Sequence, residues 1–131
     1  MIPGRATPEG TARYQKRWSD RLHSDHFRQR DGLWFSSIGF GTYLGDPDDL
    51  TDGLYEESLL EAPDSGINAV DTAINYRAQR SERVVGRVLR EAVEQERVRR
   101  DEIIVSTKGG FLPFDGQVPE SPEADLRERF I

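Results

Sequence analysis

The chain has 131 residues, and its 18 Lys and Arg against 24 Asp and Glu leave a formal net charge of −6. This length allows one domain at most. It is about half of the roughly 250 residues that a complete eight-stranded α/β barrel needs. The sequence contains no cysteine, which excludes disulfides and thiolate metal sites. No run approaches the roughly 18 apolar residues of a membrane span, and no apolar signal region follows the first residues. We therefore expect a soluble, cytoplasmic protein.

Charge is distributed unevenly along the chain. Residues 1–30 carry seven Lys and Arg and three Asp and Glu, a net +4, whereas residues 31–131 carry eleven and twenty-one, a net −10. A basic segment of this kind either contacts an anionic partner or packs on its own acidic domain, and the second interpretation is favoured. The basic residues do not alternate with aromatic ones, so the pattern does not indicate nucleic-acid binding.

The first part of the chain predicts an arm. Residues 1–12 are rich in Pro, Gly and Thr and predict an extended segment. In residues 13–25 the i, i+4, i+8 spacing of Tyr14, Trp18 and Leu22 predicts one weak helical stripe.

A β-hairpin is predicted next, around Asp31-Gly32. This dipeptide favours a type I′ turn, which requires positive φ at both central positions. We place the domain boundary just before the hairpin, which gives an N-terminal arm at 1–25 and a domain at 26–131.

After the hairpin, strands and helices alternate, and this order predicts a parallel sheet with right-handed crossovers. Both a doubly wound sheet and a closed barrel satisfy the pattern. The predicted elements are a strand at 37–41, a helix at 50–62, a strand at 67–71, a helix beginning at Ser81, a strand at 103–107 and a weak helix at 121–131.

The predicted helix boundaries follow from capping residues and proline. Thr51 or Asp52 is the expected N-cap of the first of these helices, and Pro63 is expected to end it. Ser81 is the expected N-cap of the second. That second helix carries an apolar stripe of helical period, formed by Val84, Val85, Val88, Leu89, Ala92 and Val93.

Polar residues that follow the predicted parallel strands are the candidates for chemistry. Asp71 ends one strand, Tyr76 lies in the loop after it, and Lys108 follows the next strand. Sites in parallel α/β folds form at this carboxyl edge. A lysine ammonium beside a phenol favours the ionised phenol, and an aspartate beside the lysine preserves its charge. A tyrosine in this setting is a suitable proton donor.

Four motifs in this order resemble the signature of the aldo-keto reductase family. The resemblance covers roughly residues 26–110, includes the hairpin, and leaves the arm without a counterpart. The motifs are GFGTY at 39–43, DTAINY at 71–76, SERVVG at 81–86 and STK at 106–108.

The resemblance implies an α/β fold in which the chain forms the N-terminal part of a (β/α)8 TIM barrel, preceded by a β-hairpin and incomplete here. It implies reduction of an aldehyde or ketone, a small-molecule carbonyl substrate, with NADP or NAD as cofactor. Asp71, Tyr76 and Lys108 would be catalytic, with Tyr76 as the acid. The expected cofactor-binding residues are Gly41, Thr42, Tyr43 and Asp71.

Two further motif residues are expected to be structural. Glu82 would favour the helix macrodipole from the first turn. Gly86 would permit close helix packing.

The sequence departs from the family at one catalytic position. The resemblance implies a histidine at the end of the next barrel strand, whereas the only histidines, His23 and His26, precede the first strand. We therefore expect this chain to be a truncated fragment that is inactive alone.

Two other interpretations stay open at this point. The chain could act without catalysis by binding a partner, or Lys108 could serve a Schiff-base lyase. A dinucleotide fold of the Rossmann type is disfavoured, because Leu44 stands where the third glycine of its fingerprint belongs.

Overall fold

A computed structural model describes residues 2–131 and contains a helix, a β-hairpin and a three-stranded parallel sheet flanked by further helices. None of the helices in this described part is long and apolar enough to cross a membrane. The elements are α1 (Pro8–Trp18), β1 (Phe27–Arg30), β2 (Leu33–Ser36), β3 (Phe40–Gly41), α2 (Asp49–Glu61), β4 (Ala69–Asp71), α3 (Arg80–Glu94), β5 (Ile104–Ser106) and α4 (Pro122–Phe130).

The N-terminal arm is helical earlier than the sequence predicts. The extended segment predicted for residues 1–12 is wrong from Pro8 onward, where α1 begins, whereas residues 2–7 form neither helix nor strand and residue 1 lies outside the described residues. The Thr7 side chain accepts a hydrogen bond from the Gly10 N–H at 2.9 Å, and proline at the first helical position has no N–H to leave unsatisfied. The predicted stripe of the arm is confirmed in part: Tyr14 lies in the core, with Trp18 packed beside it.

The predicted hairpin is confirmed. Strands β1 and β2 pair antiparallel, with Arg30 opposite Leu33, and the two turn residues have positive φ of 49° at Asp31 and 82° at Gly32. The hairpin is fastened to the sheet by Asn68, whose side-chain oxygen accepts from the Ser36 N–H at 2.9 Å. Asn68 directly precedes β4, so the hairpin lies at the amino end of the parallel strands.

The N-caps of the two crossover helices differ from the predicted ones. Asp48 caps α2, because its carboxylate accepts from the Thr51 N–H at 2.8 Å. Gln79, in the left-handed region, precedes α3. The hydroxyl of Ser81 instead donates to the Thr42 carbonyl at 2.6 Å and ties α3 to the segment after β3. As predicted, α2 stops before Pro63, and a 3₁₀ turn follows over Ala62–Ser65.

The core lies between the parallel sheet, the two crossover helices and α1. One cluster of buried side chains joins α1 and the hairpin to α3 and β5, and a second joins α2 to α3. Half-buried Val70 and Val105 of the sheet contact both clusters. The predicted apolar stripe of α3 is confirmed at its central positions, since Val84, Val88 and Ala92 are buried.

The parallel sheet has the order β3-β4-β5, with Gly41 opposite Asp71 and Asp71 opposite Ser106. Sequential parallel order agrees with the start of a barrel, but within residues 2–131 the sheet does not close. Beside β5 and α3 runs an open groove of about 500 Å³. Gly86 lines this groove and has nothing within 4 Å of the position that a Cβ would occupy. The predicted close packing at Gly86 is therefore wrong for the described residues.

Candidate active site

The carboxyl ends of β4 and β5 bring the three predicted catalytic residues together. Asp71 is the last residue of β4 and pairs with Ser106 of β5. Lys108 follows Ser106 by two residues. The Ile74 N–H donates to the Lys108 carbonyl at 3.2 Å, which holds the two loops side by side. A short turn then returns Tyr76 toward the strand ends, with its N–H donating to the Ala73 carbonyl at 3.1 Å.

Lys108 is the centre of this cluster. Its Nζ donates to both carboxylate oxygens of Asp71, at 2.7 and 2.8 Å, and to the Thr72 carbonyl at 3.0 Å. It also lies 3.0 Å from the Tyr76 hydroxyl. The hydrogen bond to Asp71 and then that to Tyr76 raise the pKa of Lys108 above its ordinary value, because both favour the ammonium form. A charged donor is thereby directed at the phenolic oxygen.

The residues after β3 form the other side of this edge. The exposed ring of Tyr43 packs edge-to-face on Tyr76, with 5.0 Å between the ring centroids. Gly41 is exposed, and no atom lies within 4 Å of its Cβ position. Thr42 is buried, and its hydroxyl donates to the Asp71 carbonyl at 3.0 Å. Thr42 therefore fastens β3 to the site rather than presenting its hydroxyl to solvent.

Glu82, in the first turn of α3, also contacts the edge of the site. Its carboxylate accepts a hydrogen bond from the Thr107 hydroxyl, next to Lys108. This bond connects the first turn of α3 to the end of β5. The expected macrodipole role and this tether are compatible, since Glu82 lies in the first turn.

A buried ion pair that the sequence patterns did not predict lies behind Tyr76. The Arg77 guanidinium is almost fully buried and donates to a carboxylate oxygen of Asp52 at 2.5 Å. Asp52, predicted as a helix N-cap, instead receives this bond and one from Arg80 at 3.1 Å. Burial opposes ionisation of Asp52, but the hydrogen bonds from Arg80 and Arg77 outweigh it and lower the pKa of Asp52.

A sequence signal for this pair exists. The segment GDPDDLTD at 45–52 is strongly acidic, whereas RAQR at 77–80 supplies two arginines directly after Tyr76. Opposite charge in two loops at the same edge of a parallel sheet favours an ion pair between them.

The backbone after Tyr76 is strained. Arg77, Ala78 and Gln79 have φ of 48°, 52° and 71° in succession, and none of them is glycine. Left-handed backbone costs such residues roughly 1–2 kcal/mol each. Backbone of this kind persists only where the surrounding contacts hold it.

Both histidines lie away from this cluster. The His26 Nε2 is 3.0 Å from the Gly66 carbonyl. Gly66 precedes the amino end of β4, whereas Asp71 lies at the carboxyl end of the same strand. The His23 Nδ1 accepts from the Asp25 N–H in the turn before the hairpin.

The structure thus brings Asp71, Tyr76 and Lys108 into contact at the carboxyl edge of a parallel sheet, as the four motifs predict. Comparison with protein families agrees with this geometry. A family model described as "Aldo/keto reductase family" matches residues 37–131, which include every residue of the site and nearly three quarters of the chain. The chain belongs to the aldo/keto reductase family.

Proposed function

We propose that this site serves the NAD(P)H-dependent reduction of an aldehyde or ketone, with Tyr76 as the proton donor to the carbonyl oxygen. The observation that carries the proposal is the contact chain from Asp71 through the Lys108 ammonium to the Tyr76 hydroxyl, with Nζ 2.7 Å from the carboxylate and 3.0 Å from the phenol. Each contact favours charge on Lys108, and that charge favours release of the phenolic proton.

The division of work among the three residues follows from their contacts. Tyr76 is half-buried, and its hydroxyl lies at the open edge of the sheet, where a carbonyl oxygen can reach it. Because its contacts raise its pKa above that of a free lysine, Lys108 stays in the ammonium form and acts as a fixed positive charge. Both carboxylate oxygens of Asp71 accept hydrogen bonds from Lys108 and thereby orient its ammonium group.

The residues at this edge fit the nicotinamide end of the cofactor. The open side of Gly41 leaves room for a planar ring to approach the backbone, and the exposed ring of Tyr43 offers an apolar face beside Tyr76. When bound, the cofactor supplies the hydride for the carbonyl carbon. Cofactor binding by Gly41, Thr42, Tyr43 and Asp71 remains part of this proposal, with Thr42 acting through its bond to the Asp71 carbonyl.

The resemblance to the family implies a fourth catalytic group, a histidine at the end of the next barrel strand. Neither histidine of the described residues takes that place, because His26 contacts the Gly66 carbonyl at the amino end of β4 and His23 contacts Asp25 before the hairpin. The sheet is open within residues 2–131, so the assay below supplies the later strands separately.

The Schiff-base lyase alternative is disfavoured by the state of Lys108. An amine nucleophile must lose its proton, and lysines with that role have a lowered pKa. The contacts with Asp71 and Tyr76 raise the pKa of Lys108 instead. The remaining alternative is a non-catalytic role through a binding partner.

The experiment measures oxidation of NADPH with a simple aldehyde, for the chain alone and for the chain mixed with a polypeptide carrying the later strands of a family barrel. We expect turnover in the mixture, and a loss of about 10²–10⁴-fold in Tyr76→Phe with cofactor binding unchanged. Lys108→Met is expected to lose activity, whereas the matched change Lys16→Met, on the exposed face of α1, is not.

Three results would contradict the proposal. Unchanged turnover in Tyr76→Phe would show that Tyr76 is not the proton donor. Failure of the mixture to bind or oxidise NADPH would favour the non-catalytic alternative, and borohydride trapping of the aldehyde on Lys108 would favour the lyase.

A further inference from the structure

The left-handed turn at residues 77–79 joins the three loops that surround the site. Toward the loop after β3, the Arg77 guanidinium donates to the carbonyls of Asp46, at 2.9 Å, and Asp48, at 3.2 Å. Toward the loop after β5, the Gln79 side chain donates to the Phe114 carbonyl at 2.9 Å, and the Ala78 carbonyl accepts from the Gly116 N–H at 2.8 Å. The turn itself follows Tyr76 directly.

Arg77 makes the strongest of these connections. Its guanidinium is 1% exposed, and it binds the Asp52 carboxylate and the two carbonyls of the acidic loop at once. It also lies over the ring of Tyr55, with its Cζ 5.1 Å from the ring centroid. Asp52 also forms an ion pair with Arg80, the first residue of α3. The pair is therefore anchored on both sides of the turn.

The placement of Arg77 is informative because its backbone is one of the three strained residues. A non-glycine residue with φ of 48° relaxes to the right-handed or extended region unless its side chain is held. Relaxation at residue 77 would rotate the chain immediately after Tyr76. The phenol would then leave the 3.0 Å contact with Lys108 and the edge-to-face contact with Tyr43.

We propose that Arg77, through its buried pair with Asp52, is a positioning residue that holds the left-handed turn and thereby sets the Tyr76 hydroxyl against Lys108. The inference rests on the proposed function, in which Tyr76 is the proton donor. Arg77 does not touch the reacting atoms, and its effect is transmitted by the backbone of one neighbouring residue.

The test is a spectroscopic measurement on the 131-residue chain labelled with 3-fluorotyrosine. The fluorine signal of Tyr76 is assigned as the one that Tyr76→Phe removes. In Arg77→Met, which keeps the apolar stem and removes the guanidinium, we expect this signal to move toward that of free 3-fluorotyrosine. Adding Ala78→Gly to Arg77→Met is expected to restore at least half of the shift, because glycine adopts positive φ without strain.

The matched control is Arg97→Met. Arg97 also binds two carboxylates, those of Glu61 and Asp64, and is 20% exposed, but it lies beyond the C-terminal end of α3, away from the turn. The same substitution there removes an ion pair without touching the turn, so the Tyr76 signal is expected to stay. If Arg77→Met does not fold, Arg77→Lys is measured and is expected to give a smaller shift in the same direction.

The kinetic readout separates this inference from the proposed function. In the complemented assay, Arg77→Met is expected to lower kcat by up to about a hundredfold, as for a misplacement of about 1 Å, with KM for the carbonyl compound changed less than twofold. Absence of activity in the parent would overturn the proposed function and leave the fluorine signal to decide the role of Arg77. An unmoved Tyr76 signal in folded Arg77→Met or Arg77→Lys, an equal shift in Arg97→Met, or no rescue by Ala78→Gly would overturn the inference.

Discussion

Buried polar side chains connect α1 and the hairpin to the parallel sheet. Glu102 has no exposed surface and accepts from Arg13 and Arg17 of α1, each at 2.9 Å. Asn68 is equally buried and joins the hairpin to β4, the strand that ends at Asp71. Tyr14 places its hydroxyl 2.6 Å from the Pro63 carbonyl, inside the core. Because unpaired buried polar groups are costly, these bonds make the position of α1 specific.

Tyr14 supplies a prediction of pH dependence. Desolvation of the phenolate by burial raises the pKa of Tyr14 above its ordinary value. The unfolded chain loses this proton near pH 10 whereas the folded chain keeps it, so stability that is present below about pH 10 is lost as pH rises toward the folded pKa. Tyr14→Phe should be about 1–2 kcal/mol less stable at neutral pH. Between pH 9 and 11, about one unit either side of the ordinary tyrosine pKa, Tyr14→Phe should also lose less stability than the parent chain.

Urea denaturation across this pH range measures both effects. The exposed Tyr43 gives the control, since Tyr43→Phe removes a hydroxyl at the surface and is expected to leave stability at neutral pH unchanged. Parallel stability curves for the parent and Tyr14→Phe would show that the buried phenol has no such role.

At the scale of elements, α1 is distinguished by how closely it approaches its neighbour. A Cβ at Gly10 would lie 2.2 Å from the backbone oxygen of Asp101, a distance that no side chain tolerates. The same oxygen accepts from the Thr7 N–H at 3.0 Å, so the first turn of α1 is fixed against it. In contrast, nothing lies within 4 Å of the Cβ position of Gly53 in α2.

Two glycine-to-alanine changes should therefore have opposite signs. Alanine favours a helix interior by about 1 kcal/mol over glycine. At Gly53 this gain is unopposed, and Gly53→Ala should stabilise the chain by about 0.5–1 kcal/mol. At Gly10 the clash outweighs it, and Gly10→Ala should destabilise by about 1–3 kcal/mol. Thermal unfolding of the two variants checks the signs, and an equal stabilisation by both would refute the close approach of α1.

At the scale of the whole molecule, burial is concentrated toward the N-terminal helix and decreases toward α4. Tyr14 of α1 lies in one cluster with Phe27, Val98 and Ile103. α4 has no buried residue, and its ion pairs, Arg127 with Glu123 and Arg129 with Asp125, lie within the helix. The basic α1 also binds acidic residues near β5, as the uneven charge of the sequence predicts.

Deletion of the two ends should accordingly give different results. Removal of residues 2–18 exposes the core cluster and should abolish cooperative unfolding. Removal of residues 120–131 should lower the free energy of unfolding by less than about 1 kcal/mol, because few buried contacts are lost. Denaturant titrations of both deletions test this, and cooperative unfolding after the first deletion would show that α1 is dispensable.

Local chemistry made several features predictable from the sequence. The hairpin follows from Asp31-Gly32, because few dipeptides accept positive φ twice. The α3 stripe follows from its helical period, and the contact of Asp71 with Lys108 follows from the adjacency of parallel strand ends. The site could be located because its residues end a parallel strand or lie in the loop that follows one.

The features that the sequence left undecided depend on contacts between distant segments. Asp48 caps α2 and frees Asp52 for Arg77, although each acidic residue nearby is an equally good cap by type. Gly10 meets a backbone oxygen and Gly86 meets open space, although both are helical glycines. The sequence alone determined the family, the order of the elements and the three residues at the strand ends, because each depends on local pattern. Only the tertiary structure decided which charges are buried together, how α1 is seated and what holds the turn behind Tyr76, because these depend on which surfaces meet.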